Sequence, residues 1–333
     1  MRTLRRGIAR IGISLAAAAA VVVAGAACSS GDETSGSSTL NANTTLVVGD
    51  QVKSTQTLLE AAGELQNLPY KIEWAAFESG PPLLEAEAAG KVDIGATGDT
   101  PAVFAQAANS PLKIVTVTAV PKINDFLLVR PDSPIHSVAD LRGKKVAFTK
   151  GSSSHGLVLG LLNQAHLKPS DITETYLTPT EGLAAFTSGQ VDAWAVWNPY
   201  AVLAKQKGAR VVGDGAGIQT QQSYYLASDR ALGDGAKSAA LTDFVGRLAR
   251  AQKWAIGHEN EWVPVFSRLT TLPESVARET FRAQAGSFVA IDAARIAKQQ
   301  KLIDLFSGAG VIPNKPTAQD FFDNRFNPEA TAS

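Results

Sequence analysis

Residues 144–162 read KKVAFTKGSSSHGLVLGLL. An apolar, strand-like run, KKVAFT, passes through a Gly/Ser turn into LVLGLL, whose apolar residues fit a helix. A strand that feeds a helix directly is the first half of a βαβ unit, the building block of a parallel sheet covered by helices. The turn also carries a chemical expectation. It places unpaired backbone N–H groups and serine hydroxyls at the positive end of a helix dipole, an arrangement that binds anions. It is not a phosphate-binding P-loop, because His155 and Gly156 stand where that motif needs Lys and Ser/Thr. No Gly-x-Ser-x-Gly spacing centres on Ser152, Ser153 or Ser154, which excludes a nucleophile elbow. The bland alternative is that Ser152 or Ser153 only caps the helix.

The same grammar recurs upstream. In IGATGDTPAVFAQAAN, residues 94–109, a strand meets Gly98, then Asp99 and Thr100 as candidate N-caps, then Pro101 as the expected first helical residue. Here too a plain cap is the alternative. Ligands of open parallel sheets sit outside the carboxyl ends of strands, beside the following helices, so two such turns in one chain reinforce each other.

Working outward, short β-rich runs (TLVVGD at 45–50, KIEWAAF at 71–77, LKIVTVT at 112–118, VDAWAV at 191–196, SYYLAS at 223–228) alternate with helical stretches. Beyond Arg230 apolar residues recur at three- and four-residue spacing with no strand between them, so the last hundred residues read as helices packed on an α/β body. Pro273 or Ser275 opens one helix and Gly308 with Gly310 closes another. The prolines of VRPDSPIHSVADL, residues 129–141, mark a crossing between lobes, and GIQTQQSYYLAS, residues 217–228, marks a second. The expected organisation is therefore residues 45–130 and 224–325 in a discontinuous first lobe, 131–223 in a second, and a ligand cleft between them.

The N-terminus reads differently. Arginines, an apolar run from Ile11 to Val23 and small residues ahead of Cys28 form a secretory signal over residues 1–27. The run is too short to span a bilayer, which takes about 20 residues. The sole cysteine after AGAA resembles a bacterial lipoprotein signal, in which Cys28 would be lipidated, although Gly25 stands where such signals carry a bulky aliphatic. Residues 28–44 are Gly/Ser-rich and read as a flexible tether.

Of 333 residues, 45% are hydrophobic and 19% charged, a globular composition. Loss of the signal removes four arginines and leaves 27 basic against 31 acidic residues, a formal charge of −4 that argues against nucleic acid as a partner. With no cysteine beyond Cys28, internal disulfides, thiolate metal sites and cysteine nucleophiles are excluded from the body. The four histidines, His136, His155, His166 and His258, have no paired ligand spacing, so neither a metal nor a cofactor is expected. Trp194 reads as core, whereas Trp197, at a strand end before Asn198 and Pro199, could close over an apolar ligand tail. Gln51 at the end of the first strand, and Tyr224 and Tyr225 beside the second crossing, are further cleft candidates.

Three blocks together, residues 77–115, 140–162 and 176–200, resemble the aliphatic sulfonate-binding proteins of bacterial ABC importers, relatives of taurine- and nitrate-binding proteins. The resemblance implies a periplasmic-binding-protein type II fold of class α/β: two lobes, parallel-rich sheets flanked by helices, and a cleft that closes on the ligand. It implies a monomeric, non-enzymatic receptor, held at the outer face of the cytoplasmic membrane through Cys28, that delivers a small organic anion to a permease and its ATPase. Ligand contacts carry over to Gln51, Gly98, Asp99, Thr100, Ser152, Ser153, His155 and Trp197, with Tyr224 added from its place beside the crossing. Asn198 stands where similar proteins have Asp. A sulfonate is a monoanion at every physiological pH, so neutral donors at two facing helix N-termini can hold it without an arginine. Asp99 is then expected to cap its own helix and point away, or else to face a ligand ammonium. Alternatives are taurine, nitrate or a thiamine precursor as ligand. A desulfinase or precursor synthase of the same fold is a further alternative, although such desulfinases use a cysteine.

Overall fold

The computed structural model describes residues 40–327, so the expected signal, Cys28 and most of the tether lie outside the described residues. Eleven strands and eleven α-helices follow in that stretch. The first sheet is built from β1 (Thr45–Gln51), β2 (Lys71–Phe77), β3 (Ile94–Gly98) and β4 (Leu112–Ala119). The second takes β5 (Asp125–Val129), β6 (Lys145–Phe148), β7 (Thr173–Tyr176), β8 (Ala193–Trp197) and β9 (Arg210–Asp214). The chain then returns to the first sheet with β10 (Gln222–Ser228) and β11 (Ser287–Val289). The orders are β11-β4-β10-β3-β1-β2 and β7-β6-β8-β5-β9. β1 pairs parallel with β2 and β3, and β6 with β7 and β8, as βαβ units require. Each crossing strand instead enters antiparallel: β10 lies between β3 and β4, and β5 between β8 and β9.

That pairing moves the first crossing. It lies at residues 120–124, not near 131, because β5 hydrogen-bonds only to strands of the second sheet. The prolines at 131 and 134 break a surface turn within the second lobe, between β5 and a 3-10 turn at Val138–Leu141. A proline-rich stretch and an interlobe crossing look alike in sequence. The return occupies 215–221, so Gln222 and Ser223 already belong to the first sheet.

Helices cover both faces of each sheet. In the first lobe α1 (Ser54–Ala61) and the long α8 (Gly235–Gly257) pack on one face, where Leu46, Val48 and Ile94 meet Leu241, Phe244 and Leu248. On the other face α2 (Gly80–Ala88) and α3 (Asp99–Ala107) bring Leu83, Leu84, Ala102 and Ala105 against Ile114 and Leu226. In the second lobe α4 (Ser153–Gln164) covers Leu127, Val129 and Val146 with Leu157, Val158 and Leu161. α5 (Pro179–Ser188) and α6 (Tyr200–Gln206) cover the opposite face around Trp194, a core residue as expected. Each fully buried Leu, Val or Phe contributes about 1.5–3 kcal/mol, which is why strands buried on both faces read as nearly continuous apolar runs.

The rest is helical apart from the short edge strand β11: α7 (Asp229–Gly233), α9 (Glu259–Thr270), α10 (Glu274–Gln284, entered from Pro273) and α11 (Ala293–Gly308). α11 ties the lobes together. Leu302, Ile303 and Phe306 fill a third core between Val103 of α3 and Leu159 of α4. Phe306 sits edge-on to both Phe104 and His155, at centroid distances of 5.2 and 5.4 Å. Among the described residues no helix is long and apolar enough to cross a membrane.

Candidate functional site

The carboxyl ends of β1, β3 and β8 and both crossing segments open onto one cavity of about 230 Å3. Its floor is the junction of α3 and α4. A Cβ built on Gly98 would stand 3.4 Å from Cβ of Ser153, so the turns that open these two helices face each other almost in contact. Deeper in, the approach is closer: a Cβ on Gly156 would come within 2.4 Å of Thr100 Oγ1. Only glycine permits this spacing, and it brings two helix N-termini to bear on one point.

Both caps differ from expectation. α3 starts at Asp99 with Gly98 as its N-cap, which leaves Pro101 as the third helical residue, where its missing N–H costs nothing because that group has no intrahelical acceptor. Ser152 holds the N-cap position of α4 but makes no capping bond through its side chain. Its hydroxyl donates to Thr149 O at 2.7 Å and shares a 2.7 Å hydrogen bond with Ser154 Oγ. The first two N–H groups of α4 therefore keep no side-chain partner.

Asp99 neither caps its helix through its side chain nor projects to solvent. Its Oδ2 accepts from Thr220 N (2.9 Å) and Thr220 Oγ1 (2.8 Å), and its Oδ1 from Thr100 Oγ1 (3.1 Å). The carboxylate thus pins the return crossing to α3. Burial raises its pKa, and the Thr220 and Thr100 hydrogen bonds oppose that rise. The second lobe mirrors this tie: Ser153 Oγ donates to Asp125 Oδ1 at 2.5 Å, and Gln219 Nε2 donates to Ser153 O at 3.3 Å. Asp125 begins β5 and is 4% exposed. Burial pushes its carboxyl up to about 7; the Ser153 hydrogen bond works against this and the Asp99 charge adds to it.

Of the residues singled out in the sequence, Gln51, Gly98, Asp99, Ser152, Ser153 and Trp197 line the cavity. Gln51 is oriented by a hydrogen bond from its Nε2 to Ala96 O, at 2.8 Å. Thr100, His155 and Tyr224 do not line it. Thr100 is fully buried beneath, between Asp99 and Gly156. His155 stacks on Phe104 and Phe148, and its Nδ1 accepts the Gly151 N–H at 3.1 Å, holding the turn from behind. Burial, helped by the Lys150 charge, lowers its pKa to about 4, so it is neutral and offers no counter-charge to an anion. Tyr224 points into the body and donates to Gln299 Oε1 at 3.0 Å. The strand alternation turns its neighbour Tyr225 to the cavity instead, with its hydroxyl 3.0 Å from Thr55 Oγ1.

Several wall residues had no distinct signal in the sequence. Asp125 and Asn124 lie at the crossing that the prolines obscured. Trp262, Phe281 and Phe288 form an aromatic wall, and in a helical region such residues look like ordinary core. Gln284 bridges to Asn124 Oδ1 (3.0 Å) and Asn198 O (3.3 Å), joining α10 to the outgoing crossing and the Trp197 turn. Among the described lining residues Lys122, which is exposed, is the one cation, against the carboxyls of Asp99 and Asp125. No group of three His, Cys, Asp or Glu side chains among the described residues is placed to hold a metal ion.

A two-sheet α/β body with a cavity at the crossings is the architecture of a periplasmic binding protein, and the comparisons agree. The description NMT1/THI5 like matches residues 79–261. An aliphatic sulfonates-binding protein of Escherichia coli is 38% identical over 275 residues, covering 81% of this chain and 86% of the relative. The crystal structure of the periplasmic aliphatic sulphonate binding protein SsuA from Escherichia coli superposes with a TM-score of 0.73 at 36% identity, covering 84% of this chain and 97% of that one. The alkanesulfonate-binding protein SsuA from Xanthomonas axonopodis pv. citri, bound to MOPS, superposes at 0.78 with 32% identity, covering 86% and 99%. The chain belongs to the NMT1/THI5-like family, and its relatives include aliphatic sulfonate-binding proteins.

The contact between α3 and α4 is testable by crowding it. Gly156→Ala places a methyl against Thr100 Oγ1 and is expected to cost about 1–3 kcal/mol in urea denaturation. Adding Thr100→Ala removes the clash, so the double variant should be more stable than the sum of the two single losses.

Proposed function

We propose that this protein is the extracytoplasmic ligand-binding component of an ABC importer, and that it captures aliphatic sulfonates between its lobes for delivery to the permease. The observation that carries this reading is the pairing of the α3 and α4 N-termini across Gly98 and Ser153, without a buried arginine or lysine in the cavity wall. A sulfonate spreads one negative charge over three oxygens. Several neutral N–H and hydroxyl donors match it, and they avoid the desolvation penalty that a buried guanidinium would add. Trp197, Tyr225 and the Trp262, Phe281 and Phe288 wall provide apolar surface for a carbon tail. Gln51, Gly98 and Ser153 form the proposed head-group site, with Ser152 and Asp99 in its wall and Thr100 and His155 supporting it from behind.

We read the protein as a receptor that does no chemistry. The desulfurization enzyme DszB shares the fold, with a TM-score of 0.60 at 15% identity, which is a likeness of fold alone. Here the described residues contain no cysteine, and Ser153 hydrogen-bonds a carboxyl with no histidine between them. The taurine-binding relative and the Escherichia coli SsuA structure are named as periplasmic proteins, and we place this chain outside the cytoplasm as a monomer, tethered by lipid on Cys28.

Calorimetric titration of residues 29–333 with ethanesulfonate and butanesulfonate is expected to give one site of about micromolar affinity, with the ligand recovered unchanged. Absence of heat with any alkanesulfonate, or release of sulfite or sulfate, contradicts the assignment. Cys28→Ser in the full chain is expected to shift the protein from the membrane fraction to the soluble one, and retention in the membrane would exclude the lipid anchor.

A further inference from the structure

Two acidic side chains in the wall of an anion site are a liability, and the structure resolves only one of them. Asp99 is held by three hydrogen bonds from Thr220 and Thr100. Asp125 has no cation beside it, is almost fully buried, and takes the hydroxyl hydrogen of Ser153. That bond removes the donor the ligand needs. The Ser152 hydroxyl donates to Thr149 O, so of the two cavity serines only Ser153 could be freed to donate.

We propose that Asp125 serves the ligand site as the protonated acid: a proton taken from solvent reverses the Asp125–Ser153 hydrogen bond, so Asp125 donates to Ser153 Oγ and the Ser153 hydroxyl hydrogen turns to a sulfonate oxygen. One O–H bond forms on Asp125, no other bond changes, and one positive charge enters the site with the anion. Sulfonate binding is then coupled to proton uptake. This rests on the sulfonate reading above and assigns Asp125 a role in specificity: it favours a ligand that brings a permanent negative charge and no ammonium.

The surroundings of Asp125 agree. α3 presents Asp99, whose negative charge favours the neutral acid. α4 presents Ser153, while its neutral His155 is turned into the aromatic cluster. β8 presents Trp197 directly opposite in register, while the side chains of Gln219 from the return crossing and of Asn124 beside Asp125 offer hydrogen bonds that favour the carboxylate and work against burial and the Asp99 charge. Asp214 at the end of β9 accepts from Ala216 N at 2.9 Å. From α10, Arg278 and Arg282 are both taken up by Glu259, and Lys122 of the outgoing crossing is exposed. The nearest electrostatic influence is therefore acidic. Burial and Asp99 together leave the carboxyl near neutrality before any ligand arrives, at about 7, and an anion alongside raises it further.

The sign follows from linkage. Bound protein holds more protons than free protein above about pH 7, so affinity falls as pH rises there and is flat below. Because an alkanesulfonate does not itself titrate, any such slope belongs to the protein. The test is titration of residues 29–333 with ethanesulfonate from pH 6 to 8.5 in phosphate and Tris, which contain no sulfonate group. The Kd is expected to rise at least about tenfold across that range, with uptake of about half a proton or more per ligand at pH 7.5, read from the dependence of the heat on buffer ionisation enthalpy. In Asp125→Asn the Kd should stay within about twofold of its own pH 6 value. If that variant does not fold, the proton count on the unaltered chain decides alone. Binding without pH dependence or proton uptake overturns this inference and leaves the sulfonate reading standing. Failure to bind at any pH overturns both. Tighter binding of taurine than of ethanesulfonate at pH 8, lost in Asp125→Asn, also overturns it, by giving the carboxylate to a ligand cation.

Discussion

The near contact of two helix N-termini, α3 against α4, is the constraint on which the rest of the molecule depends. Their leading N–H groups lack intrahelical acceptors and carry the positive ends of two dipoles, so bringing them together is unfavourable unless an anion or its equivalent sits between them. The sequence makes the approach feasible with glycine at Gly156, and packing holds it, through Val103 and Leu159 clamped by Leu302 and Phe306 of α11. Apolar burial behind the floor thus maintains an electrostatic tension in front of it.

The floor of the cavity is wired to both crossings between the lobes. Asp99 holds Thr220 of the return segment, and Ser153 holds Asp125, where the outgoing segment ends. Gln219 also reaches Ser153 from the return segment, and Gln284 of α10 reaches Asn124. The two helix N-termini are therefore hydrogen-bonded directly to the segments that join the lobes. Further ties between the lobes, Lys205 to Glu279 at 2.8 Å and Thr180 to Glu78 at 3.3 Å, lie at partly exposed positions where such bonds contribute about 0–1 kcal/mol.

Much of this was legible in the residues. Strand-turn-helix grammar at 94–109 and 144–162 marked the two turns that face each other on the cavity floor, and the strand runs between Thr45 and Ser228 marked the α/β body. What escaped had physical causes. The proline-rich turn at 131–134 mimics a crossing, and moving the crossing there hid Asp125, whose role arises from its place between two lobes rather than from any neighbour in sequence. His155 sits in the right loop, but its ring turns backward into Phe104, Phe148 and Phe306, a direction that sequence spacing does not encode. At Tyr224 and Tyr225 the alternation of a strand decides which side chain faces the cavity, and the pair could be assigned only once the strand's two faces were known.

The central claim is that neutral donors at two facing helix N-termini hold the anion. It is tested most directly by a crystal structure of residues 29–333 with butanesulfonate. The expected result is a sulfonate whose oxygens lie within about 2.7–3.2 Å of the leading N–H groups of α3 and α4 and of Ser153 Oγ, with its tail against Trp197. A sulfonate bound instead at Lys122, or one reached by neither helix N-terminus, would contradict the account.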